Sequence, residues 1–132
     1  MRILLAEDHD NTREAYKLML ESEGHDVVVT SNGQDCISEY NAAVNRNSHP
    51  FDVVVLDYRL PYRDGMEIAK HVLSLVPEQR ILIASSYPVE TITKSAESVD
   101  GCLELMLKPF DIVDFVNVVG KLKTAPLIGM RK

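Results

Sequence analysis

Val53-Val54-Val55-Leu56-Asp57-Tyr58-Arg59-Leu60-Pro61 runs through four consecutive apolar residues, stops on a carboxylate, and reaches a proline four residues later. A continuous Val/Leu run, rather than an alternating one, is how a strand buried on both faces of a parallel sheet reads. Four other runs share this character: Ile3–Ala6, Val27–Val29, Ile81–Ala84 and Leu103–Leu107. They recur at roughly the spacing of a strand-helix unit.

The segments between the runs carry helix signals. Asn11 with Glu14, and Asp64 with Glu67, have capping-box spacing. Gly24 suits the left-handed residue that ends a first helix. A second helix is expected from Asn32-Gly33 to about Val44, and Pro88 fits the first turn of a fourth. Asp111 can cap a last helix whose Phe115, Val116, Val119 and Leu122 form one apolar stripe. The order is βαβαβαβαβα, and right-handed crossovers make it an α/β doubly wound parallel sheet with helices on both faces. Asn45–Pro50 reads as a polar loop, and Thr124–Lys132 as a tail or the start of a linker.

At 132 residues the chain is expected to form one domain, and 45% apolar with 26% charged residues is ordinary for a globular one. The net charge of −6 argues against a surface that grips nucleic-acid phosphates directly. Cys36 and Cys102 have no metal spacing and are too few for a disulfide framework. No apolar run is long enough to span a membrane. Glu7 and Asp8 follow the first apolar run too soon for a signal peptide, so a cytoplasmic location is expected. His9, His25, His49 and His71 are scattered without zinc spacing; His9, beside the acidic pair, is the one within reach of a site. Met19 and Met66 read as core packing.

Ligands of an open parallel sheet gather at the carboxyl ends of its strands. There the chain places Glu7 and Asp8 after the first run, Asp57 at the end of the third, Ser85 and Ser86 after the fourth, and Lys108 after the fifth. Each residue alone reads equally well as a cap, a turn or a solvated side chain; together at one rim they form a set. Three adjacent carboxylates raise one another's pKa unless cations join them. Their formal charge of −3 is balanced by a divalent ion and Lys108. Oxygen ligands favour a hard ion such as Mg²⁺, which keeps waters and takes up phosphoryl oxygens. A carboxylate so neutralised can become an aspartyl phosphate, with Lys108 and the Ser85 hydroxyl on the other phosphoryl oxygens.

These residues resemble the receiver domain of two-component response regulators over about residues 1–123. The resemblance implies a flavodoxin-like (βα)5 fold with a five-stranded sheet in the order 2-1-3-4-5. It puts the family's acidic pair on Glu7 and Asp8, and its phosphoacceptor on Asp57, followed by the loop residues Pro61 and Gly65. It puts the switch hydroxyl on Ser85 in preference to Ser86. It puts the lysine on Lys108, with a cis Lys108–Pro109 bond, the inexpensive kind of cis peptide. Mg²⁺ would be held by Asp8, Asp57, the Arg59 backbone carbonyl and, through a water, Glu7. The implied partners are a histidine kinase or phosphotransfer protein, a downstream effector protein or domain, and a second copy through the face formed by the fourth helix, fifth strand and fifth helix. The chain departs from the family at Leu105, where an aromatic switch residue is usual, and carries large residues at Arg59 and Tyr87.

Three other readings stand beside this one. A small Mg²⁺-dependent phosphohydrolase of the haloacid-dehalogenase type would have a second Asp where Arg59 stands. A flavodoxin-like flavin module would need a phosphate loop where Glu7-Asp8-His9-Asp10 stands, and those charges repel phosphate. A degenerate receiver used only for interaction would lack the full acidic set.

Overall fold

The computed structural model describes residues 1–86 and 103–122. Five strands alternate with helices: β1 (Arg2–Ala6), α1 (Asp10–Ser22), β2 (Asp26–Thr30), α2 (Gly33–Arg46), β3 (Val53–Asp57), α3 (Gly65–Leu75), β4 (Arg80–Ser85), β5 (Leu103–Leu107) and a C-terminal helix (Ile112–Leu122). All strand pairs are parallel, and the sheet order is β2-β1-β3-β4-β5. The five apolar runs are therefore five strands in the expected order. Pro88, Tyr87, Cys102 and the tail 124–132 lie outside the described residues, as does the helix expected after Pro88.

Successive strand residues point to opposite faces. Leu4, Ala6, Val54, Leu56, Ile81, Ile83 and Leu103 pack with α2 and α3, through Ile37, Tyr40, Ile68, Ala69 and Val72. Ile3, Leu5, Val53, Val55 and Leu82 pack on the other face with α1 and the C-terminal helix, through Tyr16, Leu20, Phe115, Val116 and Val119. Burying an aliphatic side chain of this size stabilises by about 1.5–3 kcal/mol. The central strands bury apolar residues on both faces, which explains their unbroken hydrophobic runs. Met66, in the first turn of α3, is buried in the core, and Met19 packs half-buried against the second face.

Helix ends follow local chemistry. Asn32 accepts from the Asp35 amide at 2.8 Å and Asp64 from the Glu67 amide at 2.9 Å. The Asp111 carboxylate accepts from Val113 N at 2.8 Å. Gly24, at φ 87°, ends α1, where its amide and that of His25 bond Glu21 O and Leu20 O. The start of α1 corrects the sequence reading. The helix begins at Asp10, His9 occupies the cap position without a side-chain bond, and Asn11 is not the cap. Arg13 N closes the first turn on His9 O, and Asp10 pairs with Arg13 within that turn. An acidic Asp10 near the positive end of the helix then does what a cap at Asn11 was expected to do.

Candidate functional site

The site lies at the carboxyl ends of β1, β3 and β5. Glu7 extends β1 by one residue, its amide bonded to Thr30 O at 3.1 Å. Asp57 is the last residue of β3. Strand alternation turns Glu7, Asp57 and Lys108 toward the α1 side of the sheet, in line with Leu5, Val55 and Met106. Glu7 is 1% exposed and Asp57 7%.

Buried carboxylates need partners. Lys108 supplies them: its Nζ lies 3.3 Å from Asp57 Oδ2 and 3.4 Å from Glu7 Oε1. Burial lowers the lysine's pKa, but the charges of Asp57 and then Glu7 outweigh it and hold the ammonium above its usual 10.5. Lys108 is thus cationic at neutral pH. Its backbone is placed by an amide bond of 2.6 Å to Ser85 O, and the Lys108–Pro109 peptide is cis, as expected.

Asp8 is partly exposed, yet its Oδ1 is buried and accepts no hydrogen bond among the described residues; His9 Nδ1 lies 3.3 Å from it. One ligand atom from each of Glu7, Asp8, His9 and Asp57 falls within 4.8 Å of the others. Of the four histidines, His9 alone joins this group among the described residues, its amide also bonding Glu7 Oε2 at 3.2 Å. Arg13 Nη1 donates to Glu7 O at 3.0 Å and braces the acidic turn from α1.

The loop after Asp57 is folded back under it. Arg59 N donates to Asp57 Oδ1 at 3.3 Å, Tyr58 N to Ala84 O, and Gly65 N to Tyr58 O. A Cβ at Gly65 would stand 2.7 Å from Asp57 O, so only glycine lets α3 begin this close to the carboxylate's backbone. Pro61 O accepts from Gly33 N, which ties the loop to the start of α2.

Asp8, His9, Asp57, Arg59, Leu60, Pro61, Ser86 and Lys108 line an open cavity of about 510 Å³. Ser86 is on its wall. Ser85, the last residue of β4, is 2% exposed and points by alternation to the α2/α3 face with Ile81 and Ile83. Leu105 packs half-buried on that same face. Sequence reasoning had singled out Glu7, Asp8, Asp57, Arg59, Ser85 and Lys108. All but Ser85 are at the cluster or its cavity. It missed Arg13, whose signal was its position one helical turn into α1 after the acidic pair.

The response regulator receiver domain family matches residues 3–120. CpdR, a response regulator receiver protein of Brucella abortus, is 27% identical over 124 residues, covering 94% of this chain and 98% of the relative. The regulatory protein AtoC of Escherichia coli is 28% identical over 119 residues, which is 89% of this chain and 24% of that longer protein. Among solved structures, the response regulator TrrA of Thermotoga maritima in complex with Mg²⁺-BeF superposes with a TM-score of 0.75 at 25% identity, over 92% of this chain and 97% of that one. A receiver protein of Sinorhizobium medicae gives 0.80 at 23% identity over 95% of each chain. Five parallel strands in the order 2-1-3-4-5, an acidic rim crossed by one lysine, and a family match over most of the sequence agree: the chain belongs to the response regulator receiver domain family and serves phosphorylation-dependent signalling.

Proposed function

We propose that Asp57 accepts a phosphoryl group from the phosphohistidine of a histidine kinase or phosphotransfer protein. The observation that carries this reading is the Lys108 ammonium set between Asp57 and Glu7 at the mouth of an open cavity. In the transfer, an Asp57 carboxylate oxygen forms the new O–P bond while the P–N bond of the phosphohistidine breaks. The imidazole leaves with the electron pair of that bond and takes up a proton. Phosphoryl transfer asks mainly for positioning and for neutralisation of charge on the equatorial oxygens. Lys108 holds one of those oxygens as a fixed cation, and the loop Tyr58–Gly65 holds the nucleophile in line.

The residues fit Mg²⁺. The donor set is rich in carboxylate oxygen, the ligand atoms converge within 4.8 Å, and Asp8 Oδ1 is buried without a hydrogen bond among the described residues. Asp8, Asp57 and the Arg59 carbonyl would hold the ion, with Glu7 reaching it through water. When bound, the ion supplies positive charge against the carboxylates and the incoming phosphoryl oxygens. Titration of Mg²⁺ into Asp8→Asn, Asp57→Asn and Glu7→Gln ranks these roles, and the first two lose more affinity than the third.

The hydroxyl of Ser85 is drawn onto the phosphoryl group, and the change is read on the face that includes β5 and the C-terminal helix. There Leu107 and Val113 are exposed beside an edge strand, open to an effector or a second copy. The place of action is the cytoplasm; among the described residues no helix is long and apolar enough to cross a membrane.

Intact mass after incubation with acetyl phosphate and Mg²⁺ tests the reading. Wild type gains one phosphoryl group, Asp57→Asn gains none, and excess chelator abolishes labelling. A labelled Asp57→Asn protein, or steady turnover of a small phosphate ester without accumulation, would overturn it.

A further inference from the structure

His9 occupies the cap position of α1 without capping it through its side chain. A cap residue ordinarily turns a side-chain oxygen onto the amides of the first turn. The His9 side chain makes no such bond. Its ring turns instead to the acidic rim, where Nδ1 lies 3.3 Å from Asp8 Oδ1 and 3.5 Å from Glu7 Oε2. The side chain is 75% exposed and lines the cavity it shares with Asp8, Asp57 and Lys108. The backbone beneath it is held twice: Arg13 N donates to His9 O at 2.8 Å, and His9 N donates to Glu7 Oε2 at 3.2 Å.

At 3.3 Å, Nδ1 stands close enough to Asp8 Oδ1 to bond it, yet that buried oxygen accepts no hydrogen bond among the described residues. Two polar atoms that face each other at this distance without a shared proton are spaced as neighbouring ligands of one ion. A six-coordinate ion with bonds of about 2.1 Å sets adjacent ligands about 3 Å apart and opposite ones about 4.2 Å apart. The ligand atoms of Glu7, Asp8, His9 and Asp57 all lie within 4.8 Å of one another, so they exceed that frame by fractions of an ångström. The imidazole differs in kind from the rest of the set. Carboxylate, carbonyl and water suit hard ions, whereas an imidazole nitrogen favours first-row transition ions, increasingly so from Mn²⁺ to Ni²⁺.

We propose that His9 Nδ1 is a direct metal ligand and makes this site selective for a divalent first-row transition ion over Mg²⁺. The inference rests on the metal site proposed above, whose oxygen ligands serve either kind of ion. Mg²⁺ gives up its waters reluctantly and gains little from nitrogen. A transition ion exchanges one water for the imidazole. Asp8 and Asp57 are then common to both ions, and His9 decides which of them the site prefers. The cap position suits this role: its backbone is fixed by the first turn of α1, while its side chain reaches the ion from the open side of the cavity.

The test compares ions. His9→Asn puts a favoured cap residue at the start of α1, so the helix keeps its beginning. Mg²⁺, Mn²⁺ and Ni²⁺ are titrated calorimetrically into wild type and His9→Asn. The expected loss is graded: Mg²⁺ affinity within about twofold, Mn²⁺ about threefold weaker and Ni²⁺ about tenfold weaker or more, following the order of nitrogen preference and the cost of altering a metal's ligand shell. An imidazole that acted only through the carboxylates would change all three ions alike. Pulsed EPR of bound Mn²⁺ should show a ¹⁴N coupling from imidazole that is missing in His9→Asn. His49, exposed and 3.7 Å from Glu78, controls for adventitious binding, and His49→Asn should keep the wild-type affinities. An equal loss for the three ions in His9→Asn, an unchanged Ni²⁺ affinity, or a ¹⁴N coupling lost in His49→Asn instead overturns the proposal and leaves the oxygen-ligated site standing. Failure of the wild type to bind Mg²⁺ or Mn²⁺ overturns both.

Discussion

The two faces of the sheet are packed alike and equipped differently. On the α2/α3 side the core is mostly aliphatic, with Tyr40 and Phe51 buried in it and Tyr58 packed partly buried against it, and β4 and β5 end at Ser85 and Leu107. On the side of α1 and the C-terminal helix the core contains the Tyr16–Phe115–Phe110 stack, and the strands end in Glu7, Asp57 and Lys108. One face thus carries the fixed charges and the other carries the hydroxyl. A one-residue step along a strand separates the two sets. Residues that bind and stabilise charge can be held rigidly on one side, while the group that has to move sits over a different packing surface.

The comparison breaks first at Lys108. Lys108→Ala removes the cation that the geometry places between Asp57 and Glu7. A fixed donor lost from a developing charge lowers the rate about 100-fold, and the phosphorylation rate should fall by that order. Mg²⁺ binding should survive and tighten about three- to tenfold, because two carboxylates lose a competing cation a few ångströms away and solvent screens part of the gain. Acetyl phosphate kinetics and a Mg²⁺ titration measure the two effects. Loss of Mg²⁺ affinity in Lys108→Ala would mean that the lysine organises the acidic cluster rather than balancing it.

The faces themselves were legible from sequence, because a strand covered on both sides has no polar register to hide. Val53-Val54-Val55-Leu56 and Ile81-Leu82-Ile83-Ala84 could be placed as central strands on that ground alone. The rim residues Glu7, Asp57 and Lys108 followed from where those runs end. Local competition was harder to read. Asn11 and Glu14 have capping spacing, but Asp10 and Arg13 complete a turn one residue earlier. Nor does the sequence distinguish Ser85 from Ser86 by chemistry: both are hydroxyls after the same run, and the side each takes depends on where β4 stops alternating.

Ser85 and Ser86 therefore sharpen the comparison at a smaller scale. Ser85 is buried on the α2/α3 side, and Ser86 already lines the cavity. Ser85→Ala is expected to keep phosphorylation within about threefold, since the nucleophile and its cations are untouched and a neutral hydrogen bond contributes about 1 kcal/mol. It should weaken the response at the β5 and C-terminal helix face, read as chemical-shift changes there on phosphorylation. Ser86→Ala should leave that response intact. The reverse outcome would transfer the switching role to Ser86 and show that the group already at the cavity is the one used.

The smallest effect is expected at Leu105. It pairs with Ile83 in the β4–β5 ladder and packs half-buried against the α2/α3 core. Leucine has neither the hydroxyl nor the flat ring that would give an aromatic residue one stable place in the core and another in solvent. Moving it outward would only expose apolar surface, at about 25 cal/mol per Å². Nothing in phosphorylation of Asp57 returns that energy to a leucine. The methyl resonances of Leu105 should therefore shift little between the free and phosphorylated states, while the backbone amides of Ser85 and Ser86 shift strongly. Leu105→Tyr provides the contrast: a ring at this position has a polar end that water can hold, so its resonances should report two rotamers where leucine reports one. A large rotamer change at Leu105 itself on phosphorylation would place the moving group back on the aliphatic face. The difference between the two faces would then lie in their composition and not in their roles.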